Sequence, residues 1–528
     1  MAASLPTASD FEHHVLSDVS SYLPPTTWKL GCTLALVIGS TYILDYGLKV
    51  YRDKRMQKFG SPAPLVALKA PLGIDVAIYS LYRFFTNTYF ELISGWLASV
   101  PGRTVEVRMF GEGLIITEEP ANIRAIMSTE WSSFGKGETT RRIWENMIGE
   151  AQIFAIDGDL WHKAKDTLRP HVGQLRPSDL RITEQHVGKL FARLDSGQAI
   201  ELYDVIDRYQ LDVTAHVFFG ESAESLTSEP PFRAAMEKLL PLNTARMIFG
   251  HNAFYVPDTL LAPAALRDLN AYTNRITDQA YAKDLSKKPK EEYNMLEDLV
   301  SQKRSYKDIK ESLMSVMLGG KDPSTIIISW ALFQMGNDPN VMRKMSDEVT
   351  RICGSSPPTA SKLKEMTYVR AVISEVFRLY HPLGVNMRLA LNDVTLPTGG
   401  GKTGKEPLAI AKGTSIMYSL MGMQRRKDIY GEDADVFRPE RWLETSVDRW
   451  HFIPYNHGPR VCLGRNFGQQ QMEYILARIC QEYEEIMIPA GQRQQQIKIE
   501  LNCKMAHPCM ARFVRKKSLS KTEVDGTL

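Results

Sequence analysis

The feature that most constrains the fold of this chain is a glycine-containing loop with a single cysteine, at residues 452–468. A Gly-Pro-Arg turn runs from Gly458 to Arg460 and leads to Cys462, and a helical pattern begins after Gly464. A cysteine at a helix N-terminus meets unpaired backbone N–H groups and the positive end of the helix dipole, which favour the thiolate. The first glycine allows a tight turn, and the second allows something large and flat to approach the backbone.

Arg460 adds a fixed cation to this loop, two residues before the cysteine. Its guanidinium has a forked geometry that matches a carboxylate. A thiolate, two glycines and an anion-binding arginine together describe a cradle for haem, in which Cys462 ligates iron and Arg460 pairs with a propionate. The alternative is that Cys462 is a buried free cysteine, as most lone cysteines are.

The loop resembles that of the cytochrome P450 family, the haem-thiolate monooxygenases, whose pattern is F-x-x-G-x-R-x-C-x-G. This chain has Tyr455 in place of the leading phenylalanine and keeps Gly458, Arg460, Cys462 and Gly464 at the other positions. The resemblance implies one large haem domain, with haem b as cofactor and Cys462 as its axial ligand. It also implies chemistry that is done largely by the cofactor.

Two further motifs of that family precede the cysteine. Glu375 and Arg378 form an E-x-x-R pair on one helix face, and Arg441 follows in a Phe-Arg-Pro-Glu-Arg-Trp run. The resemblance implies that these three side chains form a buried, fully paired charge network behind the haem, with a structural role. The same spacing at Glu138 and Arg141 is interpreted as an ordinary polar pair.

Three more side chains match positions that hold the haem propionates in the family. Trp161 and Lys165 fit W-x-x-x-R, with a lysine that keeps the charge but not the bidentate geometry. Lys165 could instead lie on a solvated basic helix face. Arg388 fits the family's other propionate-binding arginine, so that with Arg460 three cations would lie near two carboxylates.

The stretch that corresponds to the oxygen-binding helix of the family departs from the family pattern. The family's distal helix carries A/G-G-x-D/E-T-T, whereas residues 319–325 read Gly-Gly-Lys-Asp-Pro-Ser-Thr. Asp322 is the acid of the pattern, but Pro323 replaces the next threonine and removes an N–H from the helix ladder. The hydroxyl of a proton relay would then come from Ser324, Thr325 or the substrate, and the freed carbonyl could hold water. Pro323 could also merely kink a core helix.

An uncharged stretch near the N-terminus predicts a membrane anchor. Residues 30–44 carry no charge, and the flanking Trp28 and Tyr46 are typical of membrane interfaces. The segment 28–48 approaches the ~20 residues that span hydrocarbon. Because acidic residues precede it and basic residues follow it, the N-terminus is expected in the lumen and the body in the cytosol, with the endoplasmic reticulum as location. A signal peptide and a core helix are the alternatives.

The rest of the chain shows no long linker and no repeat, which predicts one large domain. Helical periodicity dominates, with short β-patterns between helices, so the fold is expected to be mainly α with small β-sheets. The predicted divisions are a lumenal segment at 1–27, the anchor at 28–48, a basic Pro- and Gly-rich hinge at 49–73, the catalytic domain at 74–515 and a flexible tail at 516–528.

Composition excludes two classes of function. The formal net charge of +3 over 528 residues gives no indication of nucleic-acid binding. The six cysteines include no C-x-x-C pair, so a structural zinc site is not expected.

The resemblance implies insertion of one oxygen atom of O2 into a C–H bond, with electrons from NADPH through a reductase. Residues 396–401 and 411–414 look like the fungal branch that hydroxylates alkanes and fatty acids, although a fungal secondary metabolite would fit an apolar pocket equally well. The residues expected to line that pocket are Met314, Met317, Leu318 and Val385. The candidate contacts for an acidic reductase are Arg425, Arg426, Lys427 and Arg465.

Two other functions stay open at this point. A haem-thiolate isomerase or dehydratase would need no external electrons, and Pro323 motivates it. A non-enzymatic, membrane-tethered binding protein would keep Cys462 as a core residue and would contain no haem.

Overall fold

The structure is a computed structural model that describes residues 56–66, 70–109, 112–249 and 261–517, with scattered positions between 33 and 54. The predicted lumenal segment, most of the predicted anchor and nearly all of the predicted tail lie outside the described residues. Within the part of the chain that is described, no helix combines the length and the apolar character needed to cross a bilayer.

Helices make up most of the described chain. In the first half they are α1 (Ile74–Phe85), α2 (Tyr89–Ala98), α3 (Pro120–Arg124), α4 (Gly137–Ile148), α5 (Gly158–Val172), α6 (Pro177–Leu194), α7 (Leu202–Phe219), α8 (Pro231–Phe249) and α9 (Pro263–Ala282). In the second half they are α10 (Met295–Ser301), α11 (Tyr306–Gly320), α12 (Asp322–Asn337), α13 (Pro339–Cys353), α14 (Ala360–Glu365), α15 (Thr367–Leu379), α16 (Leu420–Met423), α17 (Lys427–Tyr430), α18 (Arg441–Glu444) and α19 (Arg465–Glu482).

The strands form small sheets, which confirms the predicted mainly helical class. The strands are β1 (Thr104–Met109), β2 (Glu112–Thr117), β3 (Phe134–Gly135), β4 (Ile200–Glu201), β5 (Val385–Ala390), β6 (Val394–Gly400), β7 (Glu406–Ile410), β8 (Ser415–Ser419), β9 (Tyr483–Met487), β10 (Ile497–Ile499), β11 (Cys503–Met505) and β12 (Met510–Arg515). Five of them join in the order β1-β2-β8-β5-β3, in which β2 and β8 are parallel and the other neighbours antiparallel. A second sheet has the order β4-β12-β9, and β6-β7 and β10-β11 are two-stranded.

The core is built around α7, α12 and α19, which are buried on most of their faces. In α12 the run Ile326, Ile327 and Ile328 has no exposed surface. This helix packs on α7 along one side and on α15 and α19 along others. Because α19 begins directly after the cysteine loop, the loop is attached directly to this core.

The folded body begins before residue 74, the boundary that the sequence predicted. The N–H of Ser61 donates to the carbonyl oxygen of Pro407 in β7, and the N–H of Val66 to that of Glu106 in β1, both at 2.9 Å. At Gly60, where φ is 149°, an added Cβ would lie 2.6 Å from the Pro407 oxygen. This stretch therefore lies along the sheets and is not a separate hinge.

Candidate active site

The cysteine loop is closed on one side and open on the other. Cys462 precedes Gly464, the N-terminal cap of α19, by two residues, and its N–H donates to the carbonyl oxygen of Tyr455 at 2.9 Å. Gly458 has φ 67°, and a Cβ there would lie 2.0 Å from the carbonyl oxygen of Met127. At Gly464, in contrast, no heavy atom lies within 4 Å of the Cβ position. A flat group can therefore approach the backbone on this side of the loop.

The environment of Cys462 differs from that of the other cysteines. Among the five cysteines in the described part of the chain, Cys462 is exposed and the other four are buried. Burial raises the pKa of the Cys462 thiol, against the opposing effects of the Gly464 N–H and the Arg465 guanidinium. The helix N-terminus alone therefore does not produce the expected thiolate. A metal cation bound to the sulfur would remove this proton.

Three cations lie close to one another in the structure, and one of them was missed from the sequence. The pKa of Arg460 is lowered to about 10, mainly by burial and in part by the charge of Arg388. The pKa of Lys136 is lowered by burial and then by Arg388 and Arg460. The carboxylate of Asp157 accepts from Arg460 at 2.6 Å and from the backbone N–H of Lys136 at 2.7 Å. Lys136 and Arg388 thus lie close enough to affect Arg460, whose ion pair is with Asp157.

This excess of positive charge fits a dianionic ligand. Charges in a poorly solvated site need partners, and the pKa values of Lys136 and Arg460 are lowered first by burial and then by the charges of neighbouring cations. The two propionates of haem would supply two negative charges. Lys136 belongs to no recognisable sequence motif, apart from its position between Gly135 and Gly137, so the sequence did not identify it.

Trp161 links the cluster to α5. Its side chain is buried, the Arg460 guanidinium carbon lies 4.6 Å from the centroid of its ring, and the Lys165 ammonium lies 4.9 Å from the centroid. Both distances are typical of cation–π contacts. Lys165 is half-buried, so it does not lie on a fully solvated helix face.

The charge network behind the loop is complete. Glu375 is fully buried and accepts from Arg378 at 2.8 and 2.9 Å, from Arg441 at 3.2 Å and from the Trp442 indole at 3.0 Å. The remaining guanidinium hydrogens of Arg378 reach the carbonyl oxygens of Gln424, Ala434 and Val436 at 2.5 to 3.2 Å. Since each charged member has partners, the network meets the condition under which buried charges persist.

The distal helix is broken where the sequence has proline. α11 ends at Gly320 and α12 begins at Asp322, with Lys321 between them. The Lys321 ammonium bonds to Asp322 and, at 2.5 Å, to Asp207 of α7. The other carboxylate oxygen of Asp322 accepts from the Asn502 amide at 3.3 Å. Burial raises the pKa of Asp322, while Lys321 lowers it.

The residues around this break face in different directions. A Cβ on Gly319 would lie 2.8 Å from the ring of Phe154, a side chain that is 42% exposed and forms an aromatic wall. The Ser324 hydroxyl lies 3.5 Å from the Cβ position of Gly468, so it faces α19. The Thr325 hydroxyl is fully buried and has no hydrogen-bond partner among the described residues. The structure thus does not bring Ser324 and Thr325 to one point.

The residues expected to line the substrate pocket are mostly core residues. Met314, Met317 and Leu318 are at most 6% exposed and pack within the main hydrophobic core. They therefore offer little surface to a ligand. Val385 and Phe154 are more accessible.

The basic run predicted to bind a reductase is largely used inside the molecule. Arg425 donates to the carbonyl oxygen of Leu379 at 3.1 Å, and its guanidinium lies over the ring of Tyr380. Arg426 pairs with Glu119 at 2.9 Å and Asp428 at 2.6 Å, and Lys427 with Glu432 at 3.0 Å. The prediction is therefore wrong for Arg425 and Arg426, whose charges are already paired or covered. Arg465 is exposed beside Cys462.

A match over most of the chain decides the family. The family model described as Cytochrome P450 matches residues 86–504. The chain belongs to the cytochrome P450 family. It is therefore an oxidoreductase of the monooxygenase type, and its cofactor is haem b with a cysteine thiolate as axial ligand of the iron.

Similar proteins are fungal, as the resemblance of residues 396–401 and 411–414 predicted. This cytochrome P450 is 30% identical over 473 residues to Cytochrome P450 monooxygenase pvhE of Talaromyces variabilis, covering 83% of this chain and 86% of that protein. It is 30% identical over 515 residues to Cytochrome P450 52A5 of Candida maltosa, covering 91% and 94%. It is 31% identical over 415 residues to Cytochrome P450 52A1 of Candida tropicalis, covering 72% and 74%.

Proposed function

We propose that this cytochrome P450 inserts one oxygen atom of O2 into a C–H bond of an apolar molecule, with an alkane or a fatty acid as the substrate class. Cys462 is the proposed axial ligand. The observation that carries the proposal is an exposed cysteine in a glycine loop that also holds Arg460, a cation close enough to Lys136 and Arg388 for their charges to affect one another.

The chain's own residues hold and orient the cofactor in this proposal. The propionates are bound by Arg388, Arg460 and Lys136. Trp161 and Lys165 flank this propionate site. The network of Glu375, Arg378 and Arg441 holds the loop in position from behind, and its proposed role is structural. The bound haem supplies the activation of O2, and the thiolate increases electron density at the iron.

Proton supply is the proposed task of the broken helix. Asp322 is buried, carries a carboxylate whose pKa is raised by burial, and belongs to an ion pair with Lys321. It can hold a proton at either carboxylate oxygen. Ser324 and Thr325 are the candidate hydroxyls, because Pro323 has none.

Support for the substrate class comes from the fungal 52A relatives and from the pattern at residues 396–401 and 411–414. The exposed ring of Phe154 against Gly319 gives an apolar wall at the break of the distal helix. A fungal secondary metabolite is the second candidate class.

A membrane location and a reductase partner complete the proposal. The uncharged stretch 30–44 is the proposed single-pass anchor, in the endoplasmic reticulum with the haem domain in the cytosol. An NADPH-dependent reductase is proposed to bind near Arg465, which is exposed three residues after Cys462.

The reduced, carbon-monoxide-bound absorption spectrum tests the proposal. We expect a strongly red-shifted Soret band that is lost in Cys462→Ala, while Cys353→Ala, a change at a buried cysteine, leaves it in place. Product formation from a fatty acid must then require both NADPH with a reductase and O2. Turnover without either would favour the isomerase or dehydratase that Pro323 suggests, and a colourless folded protein would contradict the whole proposal.

A further inference from the structure

One tyrosine of the five-stranded sheet lies on the same sheet face as a cation of the proposed propionate site. Tyr418 in β8 is directly opposite Asn386 in β5, in the antiparallel pairing of these two strands. Side chains of directly opposite residues lie on the same face of a sheet, and so do side chains two residues apart along one strand. Tyr418 therefore shares a sheet face with both Asn386 and Arg388.

Contacts and charges on this face connect Tyr418 with the cations. The Arg388 guanidinium carbon lies 5.6 Å from the centroid of the Tyr418 ring. Burial raises the pKa of the Tyr418 phenol, and the positive charges of Arg388 and Arg460 oppose this effect. Both guanidinium groups are therefore close enough to the phenol to affect its ionisation.

Asn386 joins the same group through its amide oxygen. This oxygen accepts from the Arg388 guanidinium at 2.9 Å and from the Lys136 ammonium at 3.4 Å. Lys136 comes directly after β3, which pairs with β5. Because the amide is neutral, it orients two cations and leaves their charges available to an anion.

The Tyr418 hydroxyl is buried and has no hydrogen-bond partner among the described residues. Tyr418 has no exposed surface, and buried tyrosine hydroxyls usually have a partner. Lysine and arginine side chains carry donors only, so none of the neighbouring cations can accept the phenol proton. The hydroxyl therefore needs an acceptor from outside the cation group.

We propose that the Tyr418 hydroxyl donates a hydrogen bond to a propionate of the bound haem. Asn386 is a positioning residue, which orients Arg388 and Lys136 towards the same group. A carboxylate carries acceptors only, so it complements a site in which the cations and the phenol are all donors. The inference deepens the proposed function, because it rests on the propionate site proposed there.

The first experiment is a crystal structure of the haem-containing enzyme. The phenol oxygen of Tyr418 should lie about 2.5 to 3.0 Å from a propionate oxygen, as in an O–H···O hydrogen bond. A hydroxyl that bonds only to water or to protein atoms would overturn the proposal. This measurement uses the wild type, so it does not depend on how well a variant folds.

Haem retention gives a second readout, which is independent of turnover. Tyr418→Phe removes the hydroxyl and keeps the ring that packs against Arg388. We expect haem transfer to an excess of apomyoglobin to become about 10-fold faster or more, since the lost hydrogen bond is one to a charged group.

The matched control is Tyr209→Phe. Tyr209 in α7 also has no exposed surface, and its hydroxyl also lacks a partner among the described residues. The charged groups that affect its phenol are Glu184 and Arg478, not the cations of the propionate site. Tyr209→Phe should therefore transfer haem at the wild-type rate, and equal rates for the two variants would overturn the role of Tyr418.

Resonance Raman spectroscopy tests the two roles with a signal that a merely structural residue would not change. The bending mode of the haem propionates depends on the hydrogen bonds that they accept. Its frequency should shift in Tyr418→Phe and in Asn386→Ala and stay at the wild-type value in Tyr209→Phe. An unchanged frequency would overturn the proposed role of whichever residue was replaced.

Arg388→Gln separates a failure of this inference from a failure of the proposed site. Faster haem transfer in Arg388→Gln, with wild-type transfer in Tyr418→Phe, would confirm the propionate site and overturn the inference about Tyr418. Wild-type transfer in both variants would instead contradict the propionate site of the proposed function. Failure to oxidise a fatty acid would contradict the proposed substrate class and leave these readouts intact.

Discussion

Lys136 shows how a side chain without a motif can belong to the site. Its pKa is lowered because it lies in a poorly solvated position near Arg388 and Arg460, with Asp157 as the opposing charge. The cost of bringing these cations together in the protein is recovered only when an anion binds between them. The affinity for haem should therefore depend on Lys136 more than on any surface lysine.

We expect Lys136→Gln to weaken haem binding by about 10-fold or more, because a hydrogen bond to a charged group contributes about 1.5–3 kcal/mol. Lys136→Arg should restore most of the affinity. The rate of haem transfer to an excess of apomyoglobin measures the effect, with Lys189→Gln, a change in a surface ion pair, as the control. Equal transfer rates for Lys136→Gln and Lys189→Gln would remove Lys136 from the cofactor site.

His381 predicts a pH dependence of stability. It is buried, its Nε2 bonds to the carbonyl oxygen of Ile453 at 2.9 Å, and its Nδ1 accepts the N–H of Leu383 at 3.0 Å. Both nitrogens are thus used by the neutral ring, and burial lowers its pKa to about 4. The unfolded chain takes up the proton at higher pH, so this contribution is complete above pH ~6.5 and falls as the pH drops towards ~4.

The loss from this one residue amounts to about 3 kcal/mol across that window. The melting temperature of the wild type should therefore fall more steeply than that of His381→Gln between about pH 7 and about pH 5. His186, whose pKa is also lowered to about 4, titrates in both proteins and cancels in the comparison. Parallel pH profiles would show that His381 is not held neutral.

At the scale of elements, α15 supports the cysteine loop through charge. Glu375 in this helix receives hydrogen bonds from Arg378, Arg441 and Trp442, and its carboxylate has no access to bulk solvent. Removing one member of such a network leaves the others charged and unpaired, which costs about 3–5 kcal/mol.

The chain contains its own control for this effect. Glu138 and Arg141 in α4 have the same E-x-x-R spacing, but their charged atoms are 3.5 Å apart and the glutamate side chain is 59% exposed. Glu375→Gln should lower the melting temperature strongly and reduce haem content, whereas Glu138→Gln should cost only about 0–1 kcal/mol. Similar losses in the two variants, measured by calorimetry, would mean that α15 has no special role in supporting the loop.

Local patterns predicted the elements well, and tertiary contacts explain what they missed. Helical periodicity predicted a mainly helical fold, and Pro323 marked the break because its effect on the backbone is local. The pairing of residues 60–66 with β1 and β7 depends on strands that come much later in the chain, so composition suggested a hinge instead. Arg425 was likewise predicted to be a surface cation, because its contact with the carbonyl oxygen of Leu379 forms only in the folded chain.

At the scale of the whole molecule, α1 predicts how the body would lie on the membrane of the proposed anchor. The residues exposed on this helix include Ile78, Tyr79, Tyr82 and Phe85, which are 49 to 72% exposed. Together with Ile74 they form an apolar and aromatic surface shortly after the proposed anchor. Aromatic rings of this kind suit the headgroup region of a bilayer, so we expect α1 to lie against the lipid that the anchor spans.

Photoactivatable phospholipid in vesicles that carry the full chain should therefore label the peptide containing α1. Changing Ile78, Tyr82 and Phe85 to serine together should reduce that labelling severalfold, because each loses its apolar contact with lipid. The matched control changes three leucines to serine and should leave the labelling of α1 unchanged. These leucines are Leu160, Leu175 and Leu443, which are 41 to 54% exposed. If α1 is labelled no more than peptides around Leu443, the exposed apolar face of α1 points away from the bilayer. The proposed orientation of the body on the membrane would then be wrong.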